Sequence, residues 1–267
     1  MNAGGFPMRH SRYPFAALLL LAIFLFYAPR LFAGSDLAGL IARLDQIRIP
    51  GKDATSTLEI RHEPKPAKLP EISTFKLYTR ISEEGGKREV STLMICLSPP
   101  KDSGKRILFQ GEACWFFDPR AKRPIKISPA QMWSQPMAFD SPNWRLAEDF
   151  SAAPAGRETI PCGDGVTRIC AVIDFAPVAR SLTAPARMRY WVDEAGRYWR
   201  IEHFTASGRL FKTVDNVRYE RVMGAERAVA MRIHSGPETA EATFSGIEAR
   251  TSPRVWFEPD GLPQIPP

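Results

Sequence analysis

Histidine and cysteine have the widest chemical reach of the residues here, and the chain holds four of each. An imidazole moves protons or binds metal, and a thiolate attacks carbonyls, holds zinc or forms disulfides. Neither type falls in a pattern that serves those uses. His10, His62, His203 and His234 are scattered, with no H-E-x-x-H. G-x-S-x-G, a phosphate-binding loop and a dinucleotide fingerprint are all missing. Ser, His and Asp occur, but nothing in their spacing joins them into a triad. The reading is a chain with no catalytic residue, no metal ligands and no cofactor, hence not an enzyme. His203 reads as a strand residue, Asp102 and Glu112 as turn residues.

The cysteines Cys96, Cys114, Cys162 and Cys170 allow three disulfide connectivities. Cys162 and Cys170 bracket a Gly-Asp-Gly turn between two strands, and this local pair is the expected disulfide. Cys96 and Cys114 would then be left to each other. They sit on the first and third strands of a meander, and are neighbours only if it departs from simple order. Zinc is disfavoured, because no C-x-x-C and no His at ligand spacing is present.

The N-terminal residues read as a targeting segment. Arg9, His10 and Arg12 precede an apolar run from Phe15 to Tyr27, thirteen residues and short for a membrane span. Ala33-Gly34 is the expected cleavage point, making residues 1–33 a signal peptide and 34–267 one mature domain; an uncleaved anchor is the other reading. The net charge of +7 falls to +4 without Arg9, Arg12 and Arg30. No basic stripe suggests nucleic acid as a partner. In an exported chain, disulfides are expected.

Ser35 is placed to cap a helix from Asp36, with Leu37, Leu40, Ile41, Leu44 and Ile47 on one face and Pro50-Gly51 ending it. Strands follow over 55–61, 72–80 and 88–97. The stretch 97–131 reads as a meander: strands at 106–110 and 113–118 joined by a two-residue Gly111-Glu112 turn, and a third from Arg123. Seven more strands are expected at 157–161, 168–175, 186–193, 197–205, 209–222, 226–235 and 239–250, each ended by Gly-rich turns. Between the two sets, Pro129 to Ala152 is apolar but has no clean period. The fold class is mainly β with few helices, one strongly curved antiparallel sheet or barrel.

Several strands are apolar on both faces, where a one-sided sheet would alternate with polar residues. Met188, Tyr190 and Val192 oppose Trp191, and Trp199 and Ile201 oppose Tyr198 and Phe204. Either a plain two-layer core or a ligand cavity accounts for this.

The stretch 97–131 resembles the outer-membrane lipoprotein-sorting protein family, the LolA-like periplasmic carriers. The matching positions are Pro99, Pro100, Asp102, Gly104, Gly111, Trp115, Pro119, Lys122, Arg123, Ile127, Ser128 and Gln131. A second match is Tyr190 to Thr213, similar to the family's W-V-D and G-x-L-x-K-T run, although Trp199-Arg200 stands where the family often has Pro-Lys. The resemblance spans residues 40–262. It implies a half-open β-barrel with helices and a lid on its concave side. It also implies an apolar cavity for lipid or lipoprotein acyl chains. On that basis Trp115, Phe117, Trp191, Trp199 and Ile201 are expected in the cavity wall. Met132, Trp133, Met137 and Phe139 are expected in the lid. Further implications are an inner-membrane transporter and an outer-membrane acceptor as partners, and transport towards the outer membrane. A LolA-like envelope sensor and an envelope hydrolase stay open as other readings.

Overall fold

The computed structural model describes residues 34–63, 70–84, 87–111, 113–128, 144–179 and 185–266. Helix α1 (Gly34–Arg48) opens this part and begins two residues before the expected start. It buries Ile41 and Leu44, with Leu37, Leu40 and Ile47 packed beside them. This is the face read from the heptad-like spacing.

Thirteen strands follow in one antiparallel sheet. They are β1 (Ala54–Glu63), β2 (Glu71–Glu84), β3 (Lys87–Ser98), β4 (Arg106–Gln110), β5 (Ala113–Phe117) and β6 (Ile125–Ile127). After a short helix α2 (Leu146–Asp149) come β7 (Phe150–Pro161), β8 (Thr167–Pro177), β9 (Arg187–Val192) and β10 (Tyr198–Phe204). The last three are β11 (Leu210–Val222), β12 (Ala225–Ser235) and β13 (Glu238–Ala249). The spatial order is β6-β5-β4-β3-β2-β1-β13-β12-β11-β10-β9-β8-β7. Except for β6 and β7, every strand pairs with its neighbour in sequence, and the pairing of β13 with β1 joins the two meanders. The order is therefore that of an up-and-down barrel, left unpaired between β6 and β7. The result is an open curved sheet, not a closed barrel.

Expected strand positions match closely, with one difference. β7 begins at Phe150, although a strand was expected only from Arg157. Ser, Ala, Pro154 and Gly156 weaken the sequence signal there. The strand survives because it is an edge, where Pro needs no ladder partner, and because the register shifts between Pro154 and Gly156. The expected Gly85-Gly86 turn lies outside the described residues.

The inner face is the one that carries α1. Its core holds Leu58, Phe75, Ile173, Phe175, Met188, Tyr190, Ile201, Val214 and Ile233, together with Ile41 and Leu44 of the helix. The outer face has two separate clusters. Leu93, Ile95, Leu108 and Phe117 lie under the C-terminal 3-10 turns Arg254–Phe257 and Pro259–Gln264, through Phe257, Leu262 and Ile265. Ile160, Cys162, Cys170, Val172, Trp191 and Trp199 form the other.

Polar groups fix the helix in place. Arg227 Nη1 donates to the carbonyls of Gln46 (3.2 Å) and Ile47 (3.0 Å), satisfying C-terminal helix acceptors from β12. Asp45 accepts the amides of Leu146 (2.8 Å) and Ala147 (3.1 Å), so α1 supplies the N-terminal cap that α2 lacks locally. Arg48 completes the joint by donating to Asp45 (3.3 Å) and to the carbonyl of Trp144 (3.1 Å). Asp45→Ala should lower stability by about 1–3 kcal/mol, through loss of two caps and one charged bond. Asp45→Asn should lose less. Urea denaturation reads both, and an Ala variant within 0.5 kcal/mol of wild type, about the scatter of neutral surface changes, would remove this joint from the account.

Candidate functional site: an apolar trough on the inner face

Strand β4 reads Arg-Ile-Leu-Phe-Gln, and its alternation decides which residues face inward. Leu108 lies opposite Leu93 and Trp115, all on the outer side. Ile107 and Phe109 therefore point inward. Two cross-strand rows result. One runs Leu77, Met94, Ile107, Phe116, Ile125 from β2 to β6. The next runs Thr92, Phe109, Cys114, Ile127. Leu77 and Cys114 are buried, but Met94, Ile107, Phe109, Phe116 and Ile127 are only half-buried, and Ile125 is 54% exposed. Apolar cover thus thins towards β6, at the unpaired seam. These residues form a contiguous apolar strip on the inner face rather than a scatter of single exposed residues.

A polar group lies further round the same face. His203 on β10 stands directly opposite Lys212 on β11 and Met188 on β9. His203 is 0% exposed and Lys212 1%. Burial, then Lys212 and Arg48, push the His203 imidazole down to about 3. Burial pushes Lys212 down to about 8. Unfolding exposes His203 to its ordinary value of 6.5, so between about pH 6.5 and 3 the unfolded chain holds the extra proton. Stability must then fall as pH falls through that window. His203→Gln should lose less stability than wild type between pH 7 and pH 4, by on the order of 2 kcal/mol. Equal losses, measured as urea midpoints, would mean that His203 is protonated in the folded protein.

The expected wall residues do not share one surface. Ile201 lies on the inner face. Trp115 and Phe117 belong to the outer cluster under the C-terminal turns. Trp191 and Trp199 are together, but in the other outer cluster. The pairing of β9 with β10 slips between Tyr198 and Arg200, so Trp199 is bulged and Ile201 shares a face with Tyr198 instead. The indoles also need polar partners, which the outer side offers. Trp191 Nε1 donates to Glu158 (2.9 Å), Trp199 Nε1 donates to Asp193 (2.8 Å), and Arg168 lies 4.0 Å over the Trp199 ring. The expected lid residues Met132, Trp133, Met137 and Phe139 lie outside the described residues, as does the expected signal peptide. The residues that sequence reasoning missed are Met94, Ile107, Phe109, Phe116 and Ile127. Their signal was the opposite parity to Trp115 and Phe117, with no aromatic donor to satisfy.

All four cysteines are buried thiols. β3, β4 and β5 run in simple order, so β4 separates Cys96 from Cys114 and these two do not pair. Cys162 and Cys170 share a cluster, and the Cys170 thiol is pushed up to about 12 by burial first and by Cys162 second. Among the described residues no three His, Cys, Asp or Glu gather into a metal-binding group. No described helix is long and apolar enough to cross a membrane.

An open meander wrapped on one helix, with its inner apolar rows left half-covered, is the LolA fold. The chain resembles the crystal structure of a LolA superfamily protein from Nitrosomonas europaea at 20% identity and TM-score 0.68, covering 82% of this chain and 96% of that one. A DUF1329 family protein from Desulfovibrio piger matches at 20% identity and TM-score 0.72, over 84% and 97%. A structure described as an outer membrane lipoprotein-sorting protein domain, from Vibrio parahaemolyticus, matches at 19% and 0.66, over 84% and 97%. No curated protein matches the sequence. Residues 88–259 match a family model described as "Uncharacterized protein", and the chain belongs to that family, a LolA-like one by fold.

Proposed function

We propose that this protein is an exported, non-catalytic carrier of lipid or lipoprotein acyl chains, which it holds along the inner face of the sheet. The observation that carries this reading is the pair of half-buried apolar rows on β3–β6, led by Met94, Ile107, Phe109 and Phe116. Each CH₂ taken out of water is worth about 0.8 kcal/mol, so a sixteen-carbon chain costs on the order of 12 kcal/mol in free solution. A protein that offers an apolar strip in place of the membrane removes that cost and needs no nucleotide. The description of the Vibrio domain as an outer membrane lipoprotein-sorting protein supports a lipoprotein-handling role; in this reading the protein works in the periplasm, between an inner-membrane transporter and an outer-membrane acceptor.

Phe109→Glu places a charge in the strip without touching either outer cluster. It should weaken binding of a fluorescent fatty acid or phospholipid about tenfold or more, because a carboxylate must be desolvated beneath the chain. Circular dichroism checks the fold. Wild type that takes up neither probe sinks the carrier reading, and unchanged binding by the variant moves the site away from β4.

Export also bears on the cysteine pair. In an oxidising compartment, a disulfide-exchange donor can take two electrons and two protons from the Cys162 and Cys170 thiols as their S–S bond forms. The two thiols share one outer cluster and already act on each other. Peptide mapping without reduction, on protein taken from its own envelope, should find the two linked. Two alkylated thiols there would leave the pair as core packing alone.

A further inference from the structure

Antiparallel order brings the end of one strand level with the start of the next, so each rim of the sheet collects alternate termini. One rim gathers the start of β2, the end of β3, the start of β6, the start of β11 and the chain just beyond β8. Ile72, Leu97, Ile125, Leu210 and Val178 stand at those places, each at least 45% exposed. Among the described residues they are most of the large apolar side chains that the fold leaves open; the opposite rim has Val166 and Ile169. Single exposed apolar residues are ordinary, but a run of them along one rim is not a scatter.

Two loops on this rim add charge. The β3–β4 loop (99–105) carries Lys101 and Lys105, and the β5–β6 loop (118–124) carries Arg120, Lys122 and Arg123. The loops pack together, since a Cβ on Gly104 would lie 3.1 Å from Pro119 Cγ. Three of these bases hold acids: Lys101 is 2.8 Å from Glu71, Lys105 donates to Asp102 (2.5 Å), and Arg120 donates twice to Asp118 (2.9 and 2.6 Å). Lys122 and Arg123 are exposed, and among the described residues no acid pairs with either. The acids at these loops are therefore spent, and the balance left facing solvent is positive.

We propose that this rim docks on an anionic phospholipid bilayer, with Lys122 and Arg123 against the phosphates and Leu97 and Ile125 entering the interface. Leu97 and Ile125 lie on β3 and β6, the strands that the two basic loops lead from and into. Bases beside exposed aliphatic side chains suit the boundary between headgroups and acyl chains. An acidic protein would satisfy the bases alone; the aliphatic side chains along the same rim favour a bilayer. Bases this few give reversible docking, not anchoring. The inference goes beyond the carrier reading and stands without it. Where both hold, Ile125 belongs to the rim and to the β3–β6 strip, so the strip would open at the membrane surface.

The test is co-sedimentation of the protein, taken from its own envelope, with lipid vesicles. Wild type should bind phosphatidylcholine vesicles holding about one-third phosphatidylglycerol about tenfold or more tightly than phosphatidylcholine alone, and lose most of that preference in about 0.5 M salt. Lys122→Glu with Arg123→Glu should weaken anionic binding about tenfold or more and leave neutral vesicles alone. Leu97→Ser should weaken binding to both. Lys52→Glu with Arg221→Glu makes the same change of net charge at the opposite rim and should bind as wild type does. All five substituted side chains are exposed, and circular dichroism checks that each variant is folded. Uptake of a fluorescent fatty acid in vesicle-free solution is read separately, so the carrier reading and this one fail independently. Equal losses in the two charge-reversed proteins would reduce the effect to net charge and overturn the docking rim. Wild type that ignores anionic vesicles overturns it too, and leaves the bases to an acidic protein partner.

Discussion

A sheet that is apolar on both sides must be covered on both sides, and the rest of this molecule follows from how that cover is divided. β3 shows the problem in one strand: Leu93 and Ile95 point out, Met94 and Cys96 point in. On the outside, the C-terminal 3-10 turns cover β3 to β5 with Phe257, Leu262 and Ile265. At β7 to β10 the outer cover is made of Trp191 and of Trp199 with Arg168 over its ring, with acids taking the indole N–H groups. On the inside, α1 is held at its C-terminal end by Arg227 of β12 and by the α2 joint. One helix of fifteen residues, about 22 Å long, cannot blanket thirteen strands. Among the described residues, the strip on β3 to β6 is what the helix leaves.

That division separates stability from binding. Fully buried Leu44, Leu108, Tyr190 and Phe175 belong to surfaces that the protein covers with itself. Removing such a side chain costs several kcal/mol, since packing around it does not collapse completely. The half-buried residues of β4 and β5 contribute less to folding and keep part of their apolar area uncovered by the described residues.

Strands and turns were largely legible in the sequence. β4 runs over Arg106–Gln110 as the alternation and the Gly111 turn indicate, and most second-half strands agree within a few residues. Period and turn chemistry are local, and local signals survive without the fold. The site was less legible, for two physical reasons. Large aromatic residues were read as ligand contacts, but Trp115, Trp191 and Trp199 are packed in outer clusters, with the N–H groups of Trp191 and Trp199 bound to acids. A bulge at Trp199 then inverted the parity beyond it, which a strict period of two does not register. Which face of β5 is inner depends on where α1 packs, a contact set by residues more than sixty positions away. The buried pair on β10 and β11 had no sequence signal at all: His203 and Lys212 are nine apart, and only the β10–β11 register makes them neighbours.

The unpaired seam has a mechanical meaning. In a closed barrel, strand number and stagger fix the radius, and widening it means breaking a ladder. Here β6 and β7 share no ladder, so the sheet can uncurl a little at every strand pair without losing a hydrogen bond. Sheet twist varies over tens of degrees at little cost, and thirteen strands add up many small changes. The interior behaves as a leaf spring. On the proposed carrier reading, such a spring would accommodate acyl chains of different girth by small changes shared among many strand pairs.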